Sequence, residues 1–324
     1  MQQLRIGVIG VGNMGRNHVR ILSEEERCFH LAGVYDADGA RAQKIAEQFG
    51  TTAFQEMEPL LQAVEAVVIA VPSSLHRAVG LLAAAHGVHA LIEKPLAMSA
   101  GDAQALCRAF AASGKILTAG HVERFNPVYT ELSKLLMHEQ IIAIEARRYS
   151  PFDGRIKDAN VVEDLMIHDL DLVCHLMEGH AAVRQSAFGQ AVHSRRLDFA
   201  HCALRFDNGV QASVSASRVT QGKIRELSVH TRGGFITADL LAKTLQVSRS
   251  TNMVIDEGQE HSYRQESVTE KIFVPMIEPL RAELIAFYDA VVNGRPVRVD
   301  GQTAARMIAL CERITQQAES ACSE

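Results

Sequence analysis

The stretch VIGVGNMG, Val8–Gly15, decides how the first part of this chain is read. Its glycines, Gly10, Gly12 and Gly15, have the spacing G-x-G-x-x-G. The apolar run LRIGVI leads into it, and NMGRNHVRILSEE, with apolar residues at helical spacing, leads out. A glycine loop between a strand and a helix is the setting in which this spacing holds a dinucleotide. The first glycine permits a tight turn, the second lets the backbone approach a pyrophosphate, and the third allows close helix–strand packing. The helix N-terminus offers free N–H groups and partial positive charge to the phosphates. Asn13 and Met14, at the same turn, join the expected cofactor contact.

Outward from the loop, short apolar runs alternate with helical patterns: LAGVYD, AVVIAVP, HALIEKP and KILTAG are separated by segments such as AVGLLAAAHG. That alternation predicts βαβ units and a parallel sheet. The second run ends at Asp36, about 20 residues beyond the loop, where an acid holds the adenosine ribose diol. A carboxylate there repels a 2′-phosphate, so NAD is expected over NADP. Arg41 is the nearby cation that could reach such a phosphate.

From Ile141 the rhythm changes. IIAIEARRYS, HCALRFDNGVQASVSASR, IRELSVHTRGGFITADL and KTLQVSRS follow one another as strand-like segments. Asn208-Gly209 and Gly233-Gly234 mark hairpin turns. Two helical segments, 278–293 and 302–318, close the chain. The expected fold is therefore α/β: a doubly wound Rossmann domain over 1–122, then an α+β domain over 123–324 with a large, mostly antiparallel open sheet.

Composition narrows the partners. The chain has 324 residues, a formal net charge of -5, 5% aromatic residues and no Trp, which speaks against nucleic acid. No apolar run has the length of a bilayer span, and the N-terminus lacks the pattern of a signal peptide. The six cysteines are scattered without a C-x-x-C pair, as in reduced cytoplasmic proteins.

Two further segments carry chemistry. HALIEKP ends a predicted strand with Glu93, Lys94 and Pro95. Ligands of open α/β sheets bind at the carboxyl ends of strands, which gives Lys94 a route to a reacting group. EDLMIHDLDLVCHLM, Glu163–Met177, places Asp164, His168, Asp171 and His175 within roughly 40° of one another if it is a helix, and its other faces are largely apolar. A metal site, an acid–base apparatus or a satisfied polar seam would each account for that stripe. His168 and His175 lie two turns apart, about 10 Å, whereas metal-binding helices place histidines at i, i+4. A base poised near neutral pH suits histidine better, with Asp164 one turn back to hold its tautomer. His175 reads as a satisfied core or cleft residue, and no metal is expected.

The glycine loop, VPSSLH (71–76), EKP (93–95) and DLMIHDLD (164–171), in this order, resemble the Gfo/Idh/MocA family of glucose–fructose oxidoreductases and inositol dehydrogenases. The resemblance spans essentially the whole chain. It implies a nicotinamide-dependent oxidation of a sugar hydroxyl, with Lys94, Asp164 and His168 as the catalytic group. It adds Val71, Pro72, His76, Glu93 and Lys94 to the cofactor contacts, and implies a homodimer or homotetramer assembled through the open sheet. One departure stands out: relatives often carry glycines before the Asp, where this chain reads DANVVED.

GHVERFNP supplies His121, Arg124 and Asn126, IEARRYSPFDGR supplies Arg147, Arg148, Tyr149 and Arg155, and SASRVT supplies Arg218. Arginines fork onto phosphate or carboxylate, so several flanking a sugar site suggest an anionic substrate. Within the family these segments are most similar to UDP-N-acetylglucosamine 3-dehydrogenases. A neutral-polyol dehydrogenase would need few of the arginines. A non-catalytic NAD-binding regulator would need no Lys94–His168 pair.

Overall fold

The computed structural model describes residues 2–154, 159–255 and 263–321. In chain order the first elements are β1 (Leu4–Ile9), α1 (Asn13–Glu24), β2 (Phe29–Tyr35), α2 (Gly39–Phe49), α3 (Met57–Ala63), β3 (Ala66–Ile69), α4 (His76–Ala85), β4 (His89–Glu93), α5 (Ala100–Ser113) and β5 (Leu117–Gly120). There follow α6 (Pro127–Leu136), β6 (Ile141–Tyr149), α7 (Ile167–Leu176), β7 (Ala182–Gln190), β8 (Phe199–Phe206), β9 (Gln211–Ser217), β10 (Ile224–Thr231), β11 (Phe235–Asp239), β12 (Thr244–Ile255) and β13 (Tyr263–Ile272). The last are α8 (Pro279–Val292) and α9 (Gly301–Ala321).

The first sheet has the order β2-β1-β3-β4-β5, parallel throughout. β1 is buried at every position except Arg5, and β3 at all of its positions. Strands covered on both faces read as continuous apolar runs, which is why LRIGVI and AVVI were legible. Helix ends follow local chemistry. The Asp38 and Ser99 side chains accept the Arg41 and Asp102 N–H groups at the starts of α2 and α5. Gly50 and Gly114 end the same helices at φ 66° and 65°, a left-handed backbone that costs glycine nothing.

The second sheet has the order β13-β12-β11-β10-β6-β9-β8-β7 and is antiparallel except where β6 runs beside β9. The Asn208-Gly209 and Gly233-Gly234 turns close β8–β9 and β10–β11 as expected, with Gly209 at φ 88°. β7 and β13 lie at the two edges and had no sequence expectation. Packed on this sheet, α7 buries Leu170, Leu172 and Val173, worth about 1.5–3 kcal/mol each for a fully buried side chain.

The chain divides differently from the sequence expectation of a single boundary at 122/123. One unit is Met1–Phe125 with Glu278–Glu312; the other is Asn126–Ile277 with Arg313–Glu324. The reason is apolar. Leu280, Leu284, Phe287 and Tyr288 of α8 complete the core formed by β1, α1 and β2, and Val299, Ala304, Ala305 and Ile308 complete the core beside β4 and α5. The Ala119 N–H also donates to Val299 O, 3.1 Å, which lays the 298–300 segment along β5.

Candidate active site

In the first unit a groove of about 680 Å³ opens at the carboxyl ends of the strands. Of the residues expected to contact a cofactor, Gly10, Gly12, Met14, Asp36, Val71, Pro72, His76, Glu93 and Lys94 line it. Gly15 lies beneath, where a Cβ would stand 1.8 Å from Gly10 O. Gly10 has φ 87° and sits against the Ala70 backbone. A Cβ on Gly12 would meet nothing within 4 Å, so the backbone there faces open space. The three glycines thus serve the turn, the approach and the packing, in that order. Asn13 is exposed at the start of α1 and is not among the lining residues.

Asp36 ends β2 and accepts the Val11 N–H at 2.8 Å and the Asp38 N–H at 2.9 Å, so one carboxylate ties the glycine loop to the β2–α2 turn. Arg41 Nη1 lies 3.4 Å from both Asp36 oxygens, and Nη2 lies 3.1 Å from Asp38. The cation beside the ribose acid is thereby already engaged by two carboxylates. These residues fit a nicotinamide dinucleotide: an uncapped helix N-terminus for the pyrophosphate and an acid for the ribose.

β4 delivers Glu93 and Lys94, and the Lys94-Pro95 peptide is cis. His76, 1% exposed, sets this bend against the next loop: its ring nitrogens face Pro95 O at 2.7 Å and Val71 O at 3.0 Å. Burial holds its pKa below the ordinary histidine value despite the two carbonyls and the Glu93 charge, so a neutral ring donates to one of them. Behind Lys94, His18 Nε2 of α1 meets Glu93 Oε1 at 2.7 Å. Burial would raise the Glu93 pKa, but the His18 hydrogen bond and the charges of His18 and Lys94 prevail and hold it low. Sequence reading missed His18 and Glu283; in each case a lone titratable residue on an otherwise apolar helical face was the available signal.

In the second unit the stripe is not one continuous α-helix. Val162–Met166 forms a π-helical turn, and the α-helix begins only at Ile167. A single wide turn of this kind is common at functional sites. It takes Asp164 out of the ideal α-helical register with His168 and leaves His168, Asp171 and His175 on one stripe. Asp164 and His168 are half-buried; Asp171 is buried. Asn160, in the DANVVED departure, starts the turn by accepting the Val162 and Glu163 N–H groups at 2.8 and 3.0 Å. His175 Nδ1 is 2.6 Å from the Tyr129 hydroxyl, in keeping with the satisfied role expected for it.

Several of the expected substrate residues have partners within their own unit. β6 alternates faces, so Arg147 and Arg148 point oppositely. Arg148, 3% exposed, bonds Asp169 of α7 through Nε and Nη2, at 3.1 and 2.8 Å. Arg147 pairs with Glu226 on the other face. Arg218, 2% exposed, donates to Ala159 O and Leu197 O at 3.2 Å each and pairs with Asp198 at 3.3 Å, stapling the segment that leads into the π-turn. Asn126 caps α6 and donates to Leu240 O. Arg148, Arg218 and Asn126 thus each have polar partners within their own unit, as a buried arginine or amide requires. His121 and Arg124 are buried in the first unit, Tyr149 is half-buried on β6, and Arg155 lies outside the described residues.

Among the described residues no group of three or more His, Cys, Asp or Glu could hold a metal ion, and no helix is long and apolar enough to cross a membrane. A glycine loop, a ribose acid and a strand-end lysine in one groove define a dinucleotide-dependent oxidoreductase. Residues 4–121 match the NAD-binding Rossmann fold of the Gfo/Idh/MocA oxidoreductase family and residues 153–321 match its C-terminal alpha/beta domain, so the chain belongs to that family. It is 32% identical over 320 residues to the UDP-N-acetylglucosamine 3-dehydrogenase of Acidithiobacillus ferrooxidans, covering 99% of both chains. A solved structure of that enzyme superposes with a TM-score of 0.90, again over 99% of each chain. An inositol 2-dehydrogenase of Corynebacterium glutamicum is 27% identical over 227 residues, 66% of each chain.

Proposed function

We propose that the chain oxidises the 3-hydroxyl of UDP-N-acetylglucosamine, or of a closely related UDP-sugar, with NAD. The observation that carries this reading is the end-to-end similarity to the UDP-N-acetylglucosamine 3-dehydrogenase, together with the groove built for a dinucleotide. NAD supplies the hydride acceptor. The chain's own part is to bind the dinucleotide on Gly10–Gly15 and Asp36, and to remove the hydroxyl proton. Lys94 in the first unit, and His168 with Asp164 in the second, are the groups assigned to that proton. A positioned base of this kind is worth about 10²–10⁴ in rate. His121, Arg124 and Tyr149 are the remaining substrate contacts in this reading.

The internal engagement of Arg148 and Arg218 removes much of the arginine argument for an anionic substrate, so a free polyol is the alternative the test has to separate. Purified enzyme at near-stoichiometric concentration, mixed with NAD, is offered UDP-N-acetylglucosamine, UDP-glucose, free N-acetylglucosamine and myo-inositol, with and without 2-oxoglutarate as electron sink. Reduced-nicotinamide absorbance with the UDP-amino sugar alone is the expected result. Reduction with myo-inositol alone would overturn the substrate. Lys94→Met and His168→Ala should each cut turnover by at least about 10²-fold while NAD still binds. Near-wild-type turnover in both would remove the assigned roles.

The five described cysteines are free thiols, which fits a reducing, cytoplasmic setting. A homodimer or homotetramer is part of the same proposal: Phe188, Phe273 and Met276 are 60%, 83% and 86% exposed, and light scattering on the eluting protein gives the subunit number.

A further inference from the structure

Glu283 has no role in the reaction as described so far. It stands in PLRAELIAFYDAVV, an α8 sequence whose neighbours Leu280, Leu284 and Phe287 fill the core. Glu283 is 1% exposed, and neither carboxyl oxygen has a hydrogen-bond partner. A carboxylate without a partner is costly in such a place; the neutral acid is far less so. The nearest negative charge acting on it is Glu93, the residue immediately before Lys94. On the other side, His18 Nε2 holds Glu93 Oε1 at 2.7 Å, with His18 fully buried on the helix that starts at the glycine loop.

We propose that Glu283, buried without a partner as the neutral acid, and the Glu93–His18 pair, in which Glu93 carries the charge, form a positioning unit that fixes the charge beside Lys94. The proposal rests on the assignment of Lys94 to proton removal. Like charges in a buried site cannot both ionise cheaply, so the two carboxyls separate their roles. Their environments decide which is which. Glu93 has His18 and Lys94 beside it, and it receives the Lys94 N–H at 3.3 Å. Glu283 has only burial and the Glu93 charge, and both push its pKa up. The other titratable or charged groups around the pair are His76, which feels Glu93 from α4, and Glu123 and Arg124 on the Val122–Phe125 turn packed against α8. When Glu283 ionises at high pH, a second negative charge appears behind Lys94. A negative charge there favours a cation beside it, which leaves less neutral amine to accept the hydroxyl proton.

The test uses the full chain and two variants, Glu283→Gln, which keeps the shape of the neutral acid, and His18→Phe, which keeps a ring but removes the nitrogen. Infrared spectroscopy reads the carbonyl stretch of a protonated carboxylic acid and needs no substrate. Peptide mass spectrometry reads the rate of Lys94 acetylation by acetic anhydride against pH, also without substrate. The expected results are a protonated-acid band at neutral pH that Glu283→Gln abolishes, and a Lys94 acetylation profile that bends downward as the band disappears at high pH, in wild type but not in Glu283→Gln. The alkaline limb of kcat, measured with UDP-N-acetylglucosamine, should move by at least one pH unit in Glu283→Gln. His18→Phe should lower kcat at least tenfold with the Kd for NAD within threefold. Absence of the band, or superimposable acetylation profiles, would overturn the proposal. If the wild type reduces NAD with no sugar offered, the functional reading fails, while the infrared and acetylation profiles still decide the proton's place.

Discussion

Arg148→Met puts the buried guanidinium of β6 to a quantitative test. Arg148 and Asp169 are 3% and 2% exposed, with contacts of 2.8 and 3.1 Å. At about 3 Å and an effective dielectric constant near 20, the attraction is roughly 5 kcal/mol. Desolvation of the two ions costs several kcal/mol each, so the intact pair contributes little net stability. Removing one partner is different, because Asp169 then keeps its desolvation cost without the guanidinium; breaking buried pairs costs about 3–5 kcal/mol. With a urea slope of about 2–3 kcal/mol per molar, the midpoint for the second unit should fall by roughly 1–2 M. Urea denaturation followed by circular dichroism measures it. The double variant Arg148→Met/Asp169→Leu should recover more than half of the loss, since apolar replacement of a buried pair is often neutral. A loss under about 1 kcal/mol, with a raised KM for the UDP-sugar, would refute the structural role and return Arg148 to substrate binding.

Three other outcomes follow from the first unit. Gly15→Ala should cost stability and NAD affinity together, because its Cβ would stand 1.8 Å from Gly10 O, whereas Gly12→Ala, with nothing within 4 Å, should weaken NAD at nearly unchanged Tm; calorimetry and NAD titration separate the two. Asp36→Ala removes the acceptor of the Val11 N–H and should weaken NAD while narrowing its advantage over NADP; an unchanged ratio of the two Kd values would show the ribose contact misplaced. Glu283→Gln should stabilise the fold increasingly as pH rises. The native acid keeps its proton while the unfolded chain loses it above the ordinary glutamate value, so wild-type stability declines as pH rises from there until native Glu283 itself ionises, and the glutamine variant escapes that decline. A Tm difference that does not change with pH would contradict a neutral Glu283.

The parts of the fold that were legible in the sequence are those where one physical demand governs. β1 and β3 are buried on both faces and read as apolar runs; Gly10 and Gly15 each meet a backbone requirement that a side chain would violate. Illegible parts depend on long-range partners. Nothing local in RAELIAFYDA says that α8 returns to the core of β1 and α1, since an apolar face is the same whichever core it joins. The partners of the arginines were hidden for a related reason. Arg147 and Arg148 are chemically identical, and only the pleat and the presence of Asp169 on α7 send one outward and the other into the core. The π-turn at Val162–Met166 is likewise hidden, because VEDLM has the composition of an ordinary helical turn.

The return of Glu278–Glu312 to the first unit sets an order of events during synthesis. The Rossmann strands leave the ribosome early, but α8 follows only after Asn126–Ile277 has been made. At 5–20 residues per second, those roughly 150 residues impose a wait of about 10–30 s. Through that interval the surface of β1, α1 and β2 that Leu284 and Phe287 later cover is open to solvent, and Glu93 has no second carboxyl beside it. The first unit therefore completes its core only when the chain is nearly finished.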